Sequence, residues 1–319
     1  VPQSLRHWGP PALRGWTNAD ALFRKACAAF GIAIVALLGF IVLQLVEGSW
    51  LSLRRFGLTF VFEKVWDPVV GHFGAATFIY GTIVTSVIAL LVAVPLGVGI
   101  AIFLVEMAPR RASAIIGFLV ELLAAIPSIV YGLWGLFVLA PIVRDYLAPA
   151  LNATLGFIPL FSGTSHGVGM LTAGLILSIM VLPFIAAVSR DVLMAVPKAQ
   201  REGPLASGAT KWETIWLVVL PYGRVGIAGA VILALGRALG ETMAVTMVIG
   251  NTPQIVASLF EPAYTMSSVI ANEYSEASSQ LYLSALTELG LLLFVVTFAV
   301  NGVARILIWR MAGRSGGHE

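Results

Sequence analysis

A single cysteine, Cys27, and four histidines stand in 319 residues, and only 11% of the chain is charged. One cysteine excludes an intrachain disulfide and a cysteine-built metal cage, and its place in an apolar run makes Cys27 a small packing hydrophobe. The histidines do not gather with cysteine or carboxylate into a metal set: His7 and His318 lie near chain ends, His72 and His166 in loops. No G-x-x-x-x-G-K-[ST] phosphate cradle occurs, so that route to ATP hydrolysis is closed to this chain. Low-complexity tracts, short-period repeats and a linker setting off a soluble domain are missing too. The shortage of charge says most, since soluble domains carry roughly 25% charged residues. With 59% hydrophobic residues and a mean hydropathy of +0.94, the chain reads as an integral membrane protein.

A helix needs about 20 mainly apolar residues to cross a bilayer. The sequence holds six such runs, near Cys27–Val46, Phe78–Val105, Ile115–Val143, Leu171–Val196, Val225–Ile249 and Leu281–Ile308. Pro95, Pro127 and Pro183 lie inside them and predict kinks that neighbouring helices accommodate. The first run follows a polar leader and has no obvious small-residue cleavage site, so it reads as a retained helix and not a signal peptide. Cations then orient the bundle. Arg6, Arg14, Arg24, Lys25, Arg110, Arg111, Arg190, Lys198, Arg201, Lys211, Arg224, Arg305, Arg310 and Arg314 fall on one side of a six-span arrangement. The opposite loops hold Arg54, Arg55, Lys64 and Arg144, and the last of them carries Glu261, Glu273 and Glu276 without a cation. By the positive-inside rule both termini are cytoplasmic. The expected fold is all-α and polytopic: a leader at residues 1–26, a six-helix transmembrane domain at 27–312 with a cytoplasmic loop at about 197–220, and a tail at 313–319.

"GTSHG", Gly163 to Gly167, matches the nucleophile pattern G-x-S-x-G with His166 beside Ser165. That chemistry needs a strand, a sharp turn and a helix, and none is legible around it, so an ordinary outer loop is the reading. The segment "GRALGETMAV", Gly236 to Val245, is different, because it carries charge at membrane depth. Gly236 and Gly240 form a small-x3-small face for close helix approach. Arg237 and Glu241 lie i,i+4 on a continuous helix and share the bordering face. A charge at the centre of a span costs on the order of 3 kcal/mol, so both face a cavity or a partner. A guanidinium is always charged and its fork matches a tetrahedral oxyanion, which favours an anion pathway; a structural ion pair is the alternative.

Between the fourth and fifth runs lies "REGPLASGATKWETIWLVVLP", Arg201 to Pro221, where Gly208 is placed to reverse two short helices. Glu202, Gly208, Val218, Leu220 and Pro221 fit the register E-A-A-x3-G-x9-I-x-L-P, although Gly203 and Pro204 replace the alanines and Val218 the isoleucine. The stretch resembles the EAA loop of ABC importer permeases, which implies the type I ABC importer permease fold. It also implies that Glu202, Gly203, Gly208, Ala209, Leu220 and Pro221 form a lever seated in an ATPase subunit. "IPSIVYGLWG", Ile126 to Gly135, and "GRALGETMAV" together resemble the PstC family of phosphate-importer permeases. That resemblance implies a permease that moves inorganic phosphate through a bacterial inner membrane, with a pathway including Arg237, Glu241, Ser128 and Thr242. It further implies a PstA-like second permease, two PstB-like ATPase subunits holding ATP and Mg, and a PstS-like phosphate-binding protein. The chain itself is expected to bind no cofactor or metal, to lack an ATPase site, and to meet lipid but not nucleic acid. Sulfate or molybdate as cargo, and an ATP-independent secondary transporter, are the alternatives.

Overall fold

The computed structural model describes residues 14–313; the leader through residue 13 and the tail from 314 lie outside the described residues. Among the described residues, six helices are long and apolar enough to cross a membrane: Asp20–Phe56, Ala76–Met107, Ser128–Leu155, Met170–Met194, Lys211–Gly240 and Gln280–Ile306. They are called the first to sixth spans below. The architecture is all-helical among the described residues apart from one isolated bridge, Asp67 to His72.

Three of the expected spans change their bounds. The first begins earlier, since its helix runs unbroken from Arg14 to Phe56 and takes in the latter half of the expected leader. The third is divided at Ile126 and Pro127, both extended, which leaves Arg110–Ala125 as a separate helix and starts the span at Ser128. Proline restricts the residue before it to extended backbone and has no N–H to continue the ladder. By contrast, the helices run on through Pro95 and Pro183. The fifth starts at Lys211 and stops at Gly240, well before the expected Ile249.

Contacts divide the chain into two units, Val1–Gly48 and Ser49–Glu319. The described residues of the first belong to the long opening helix, with Phe30, Val35 and Leu43 exposed. In the second unit the fourth span is central and its packing against the second span is tight. A methyl group on Gly97 would press on Ile185 and Ala186, and one on Gly174 on Ile88. Toward the other end, Trp66, Phe73, Phe78, Tyr264 and Tyr282 form an aromatic cluster, and Glu273 accepts from Trp66 Nε1 at 2.8 Å and from the Tyr282 hydroxyl. Burial pushes the Tyr264 phenol up to about 12, so it stays neutral and accepts from Asn272 Nδ2 at 3.0 Å.

Candidate functional site

The fifth span ends one residue before Glu241. Glu241 is extended, with φ −68° and ψ 128°, and a new helix runs from Met243 to Val248. The continuous helix expected through this stretch is therefore absent, and Arg237 and Glu241 do not stack on one helical face. No ion pair joins them among the described residues. Glu241 turns to the new helix instead: its Oε1 lies 3.5 Å from the Ala244 N–H, and its carbonyl accepts from Ser267 Oγ at 2.7 Å. A carboxylate at a helix N-terminus meets the positive end of the dipole, which favours that position for it.

Arg237 is left with its charge toward the open side of the chain. Its side chain is exposed, and its guanidinium carbon sits 4.5 Å from the centroid of the Phe184 ring on the fourth span. An arginine near an aromatic face is held by the ring quadrupole while its N–H fork stays available. Tyr131, at the start of the third span, lies within electrostatic reach of the same charge. The two glycines of the small-x3-small face do not share a neighbour within the chain. Gly236 faces Asn301 of the sixth span at ordinary contact distance, whereas nothing lies near Gly240.

The two distinctive motifs meet in space. A methyl group on Gly132 would press on Ala244 and Met247, and one on Gly135 on Ile176 and Val248, so the third span packs closely against Met243–Val248. Ser128 and Thr242 thus belong to touching segments, both half-buried. The Thr242 hydroxyl is partly used within the chain, donating to the Gly240 carbonyl at 3.3 Å. Gly132→Val is expected to lower stability by about 1–3 kcal/mol through overpacking against the Ala244 backbone. Denaturant melts of the purified protein in detergent check this, with Gly229→Ala as the control because a methyl there meets open space.

In the loop between the fourth and fifth spans, Lys198–Ala206 forms a helix despite Pro204, and Gly208 reverses the chain at φ +89°. Thr210 then opens the next helix with a reciprocal cap: Glu213 N–H donates to its hydroxyl at 3.2 Å, and Glu213 Oε2 accepts from its N–H at 2.7 Å. The expected second short helix is instead the beginning of the fifth span, so Leu220 and Pro221 lie inside that span. Glu202, Gly203 and Gly208 are exposed and Ala209 is half-buried. The GTSHG segment is a loop with positive φ at Gly163 and Gly167, and Ser165 Oγ accepts from the Gly167 N–H at 3.1 Å. Its serine is tied to its own turn, with no strand leading into it.

Sequence reasoning missed Phe184 and Glu106. Phe184 is one aromatic in an apolar run, and Glu106 meets Arg201 across 95 positions; neither has a local pattern to betray it. The profile of the family described as "Binding-protein-dependent transport system inner membrane component" matches residues 93–313. The phosphate transport system permease protein PstC of Mesorhizobium japonicum is 49% identical over 308 residues, covering 95% of this chain and 94% of that one. The protein of the same name from Haemophilus influenzae is 48% identical over 304 residues, covering 94% and 96%. A crystal structure of a bacterial ABC transporter involved in the import of the acidic polysaccharide alginate has a chain of similar fold. It gives a TM-score of 0.59 at 16% identity over 92% of this chain and 99% of that one.

Proposed function

The chain belongs to the binding-protein-dependent transport system inner membrane components, and from that footing we propose that it is the subunit through which an ATP-driven importer moves inorganic phosphate into the cytoplasm. It is a multi-pass membrane protein and a permease subunit of an ABC transporter, which works with other subunits of that system. The observation that carries the phosphate reading is Arg237: an exposed guanidinium on a spanning helix, steadied by Phe184 and without a carboxylate partner among the described residues. An unpaired cation there is stable only toward a watery path or an anionic partner. The two relatives, both called phosphate transport permeases, support phosphate as that anion.

In this reading a PstA-like permease completes the pathway opposite Arg237, with Glu241, Ser128 and Thr242 at the neighbouring helix break. Two PstB-like ATPase subunits carry ATP and Mg, and one of them receives the exposed Lys198–Ala206 helix and the Gly208 turn. A PstS-like protein delivers phosphate from outside. Selectivity is exercised there, so the pathway site binds weakly and releases readily. In this reading the location is a bacterial inner membrane, with both termini cytoplasmic.

The test is ATP-dependent uptake by vesicles containing the complete complex, with phosphate, sulfate and molybdate offered in parallel. Phosphate accumulation is expected, and accumulation of sulfate or molybdate in its place overturns the assignment. Orientation has its own measurement. In a Cys27→Ser background, single cysteines at Ser165 or Ser275 should react with an impermeant thiol reagent in intact cells, while one at Lys211 should not. The opposite labelling would reverse the map.

A further inference from the structure

One guanidinium ties three elements together where the second and fourth spans end. Arg201, on the Lys198–Ala206 helix, places Nε 3.1 Å from Glu106 Oε1 and donates from Nη2 to the Leu193 carbonyl at 2.6 Å. Both charged side chains are largely withdrawn from water, at 23% exposure for Arg201 and 12% for Glu106. Glu106 belongs to the π-helical turn Phe103–Met107 that closes the second span, and Leu193 to the last turn of the fourth. A π turn displaces its side chains from the register of the preceding helix and is favoured at working sites. Beneath the pair, Ala101, Ile102, Leu193, Val196, Ile215 and Val219 form a buried apolar cluster.

The backbone alone would hold the Lys198–Ala206 helix loosely to these spans. Its link to the fourth span is the short bend through Ala195, Val196 and an extended Pro197, and it has no nearby main-chain link to the second. Glycine contacts at Gly97 and Gly174 already join the second and fourth spans closely. The geometry points to Arg201 as the positioning residue that carries force from the cytoplasmic lever to the paired second and fourth spans. Lysine has no fork to reach the Glu106 carboxylate and the Leu193 carbonyl in this arrangement. Removing either charge strands the other in a largely dry place. This inference rests on the permease reading above.

The experiment measures phosphate moved per ATP hydrolysed by the complete complex in vesicles, supplied with phosphate-loaded binding protein. Arg201→Gln should assemble and still hydrolyse ATP, but with the ratio reduced about tenfold or more, and Arg201→Lys should fall between. In a Cys27→Ser background, the double variant Glu106→Cys, Arg201→Cys should be uncoupled as purified and recover when a short bismaleimide joins the two thiols. That recovery separates a mechanical tie from a need for charge, and it carries the test if Arg201→Gln does not assemble. An unchanged ratio in Arg201→Gln, or no recovery once the cross-link has formed, overturns the inference. Absence of phosphate uptake by the wild-type complex would instead overturn the permease reading.

Discussion

Arg237→Gln should reduce phosphate uptake by about 10- to 100-fold in the reconstituted complex while subunit recovery stays near wild type, since a charge-assisted contact is worth about 1.5–3 kcal/mol and each 1.4 kcal/mol is a factor of ten. Glutamine keeps hydrogen-bonding capacity and loses both the permanent charge and the fork. Arg237→Lys should fall between, because the charge remains as a point without the planar donors. The position of Glu241 makes the double variant decisive. With the helix ending at Gly240 and Glu241 against the Ala244 N–H, neutralising Glu241 removes no partner from Arg237. Arg237→Gln with Glu241→Gln should therefore transport no better than Arg237→Gln alone. Near-normal uptake by the double variant would instead show the two charges relieving one another, and would remove Arg237 from the phosphate path. Uptake of radiolabelled phosphate, measured beside subunit recovery for both single variants and the double, reads the difference.

Gly208→Leu should abolish stimulation of ATP hydrolysis by phosphate-loaded binding protein and reduce uptake about tenfold or more, with the chain still inserted. The left-handed backbone at φ +89° costs a residue with a Cβ about 1–2 kcal/mol. No neighbour lies near the position of the new Cβ. The chain itself therefore has room for the first atom of the side chain, and the loss arises from backbone strain and from a bulky group on the surface offered to the ATPase. Gly203→Ala is the comparison within the same docking surface: Gly203 is helical, equally open and only a few residues away, and the EAA register carries alanine at that position. Alanine there should leave coupling intact, because in a helix it improves on glycine. Wild-type uptake and wild-type ATPase stimulation in Gly208→Leu would remove this turn from the lever.

Apolar runs were legible because crossing a bilayer demands length and hydrophobicity that composition cannot conceal. The second, fourth and sixth spans accordingly lie within two residues of their expected bounds at each end. Breaks were less legible. Pro95, Pro127 and Pro183 look alike in sequence, yet only Pro127 ends a helix, and what surrounds a proline decides whether the helix continues past it. Gly208 could be read as a reversal from its residue type and setting, since glycine reaches that backbone without strain.

The sequence by itself determined the membrane class, the six crossings and the family, and it singled out Arg237 for its charge in an apolar run, because hydropathy and a fixed motif register are properties of residue order. Only the tertiary structure decided what Arg237, Glu241 and Arg201 touch. Arg237 and Glu241 are four positions apart and were expected to share a face, but the helix stops between them. One charge rests on Phe184 of another span, and the other at the start of a new helix. Arg201 and Glu106 are distant in sequence and meet because two spans end at the same level of the bundle. Helical periodicity relates neighbours only while the helix continues, and a contact between spans depends on packing that no local pattern records.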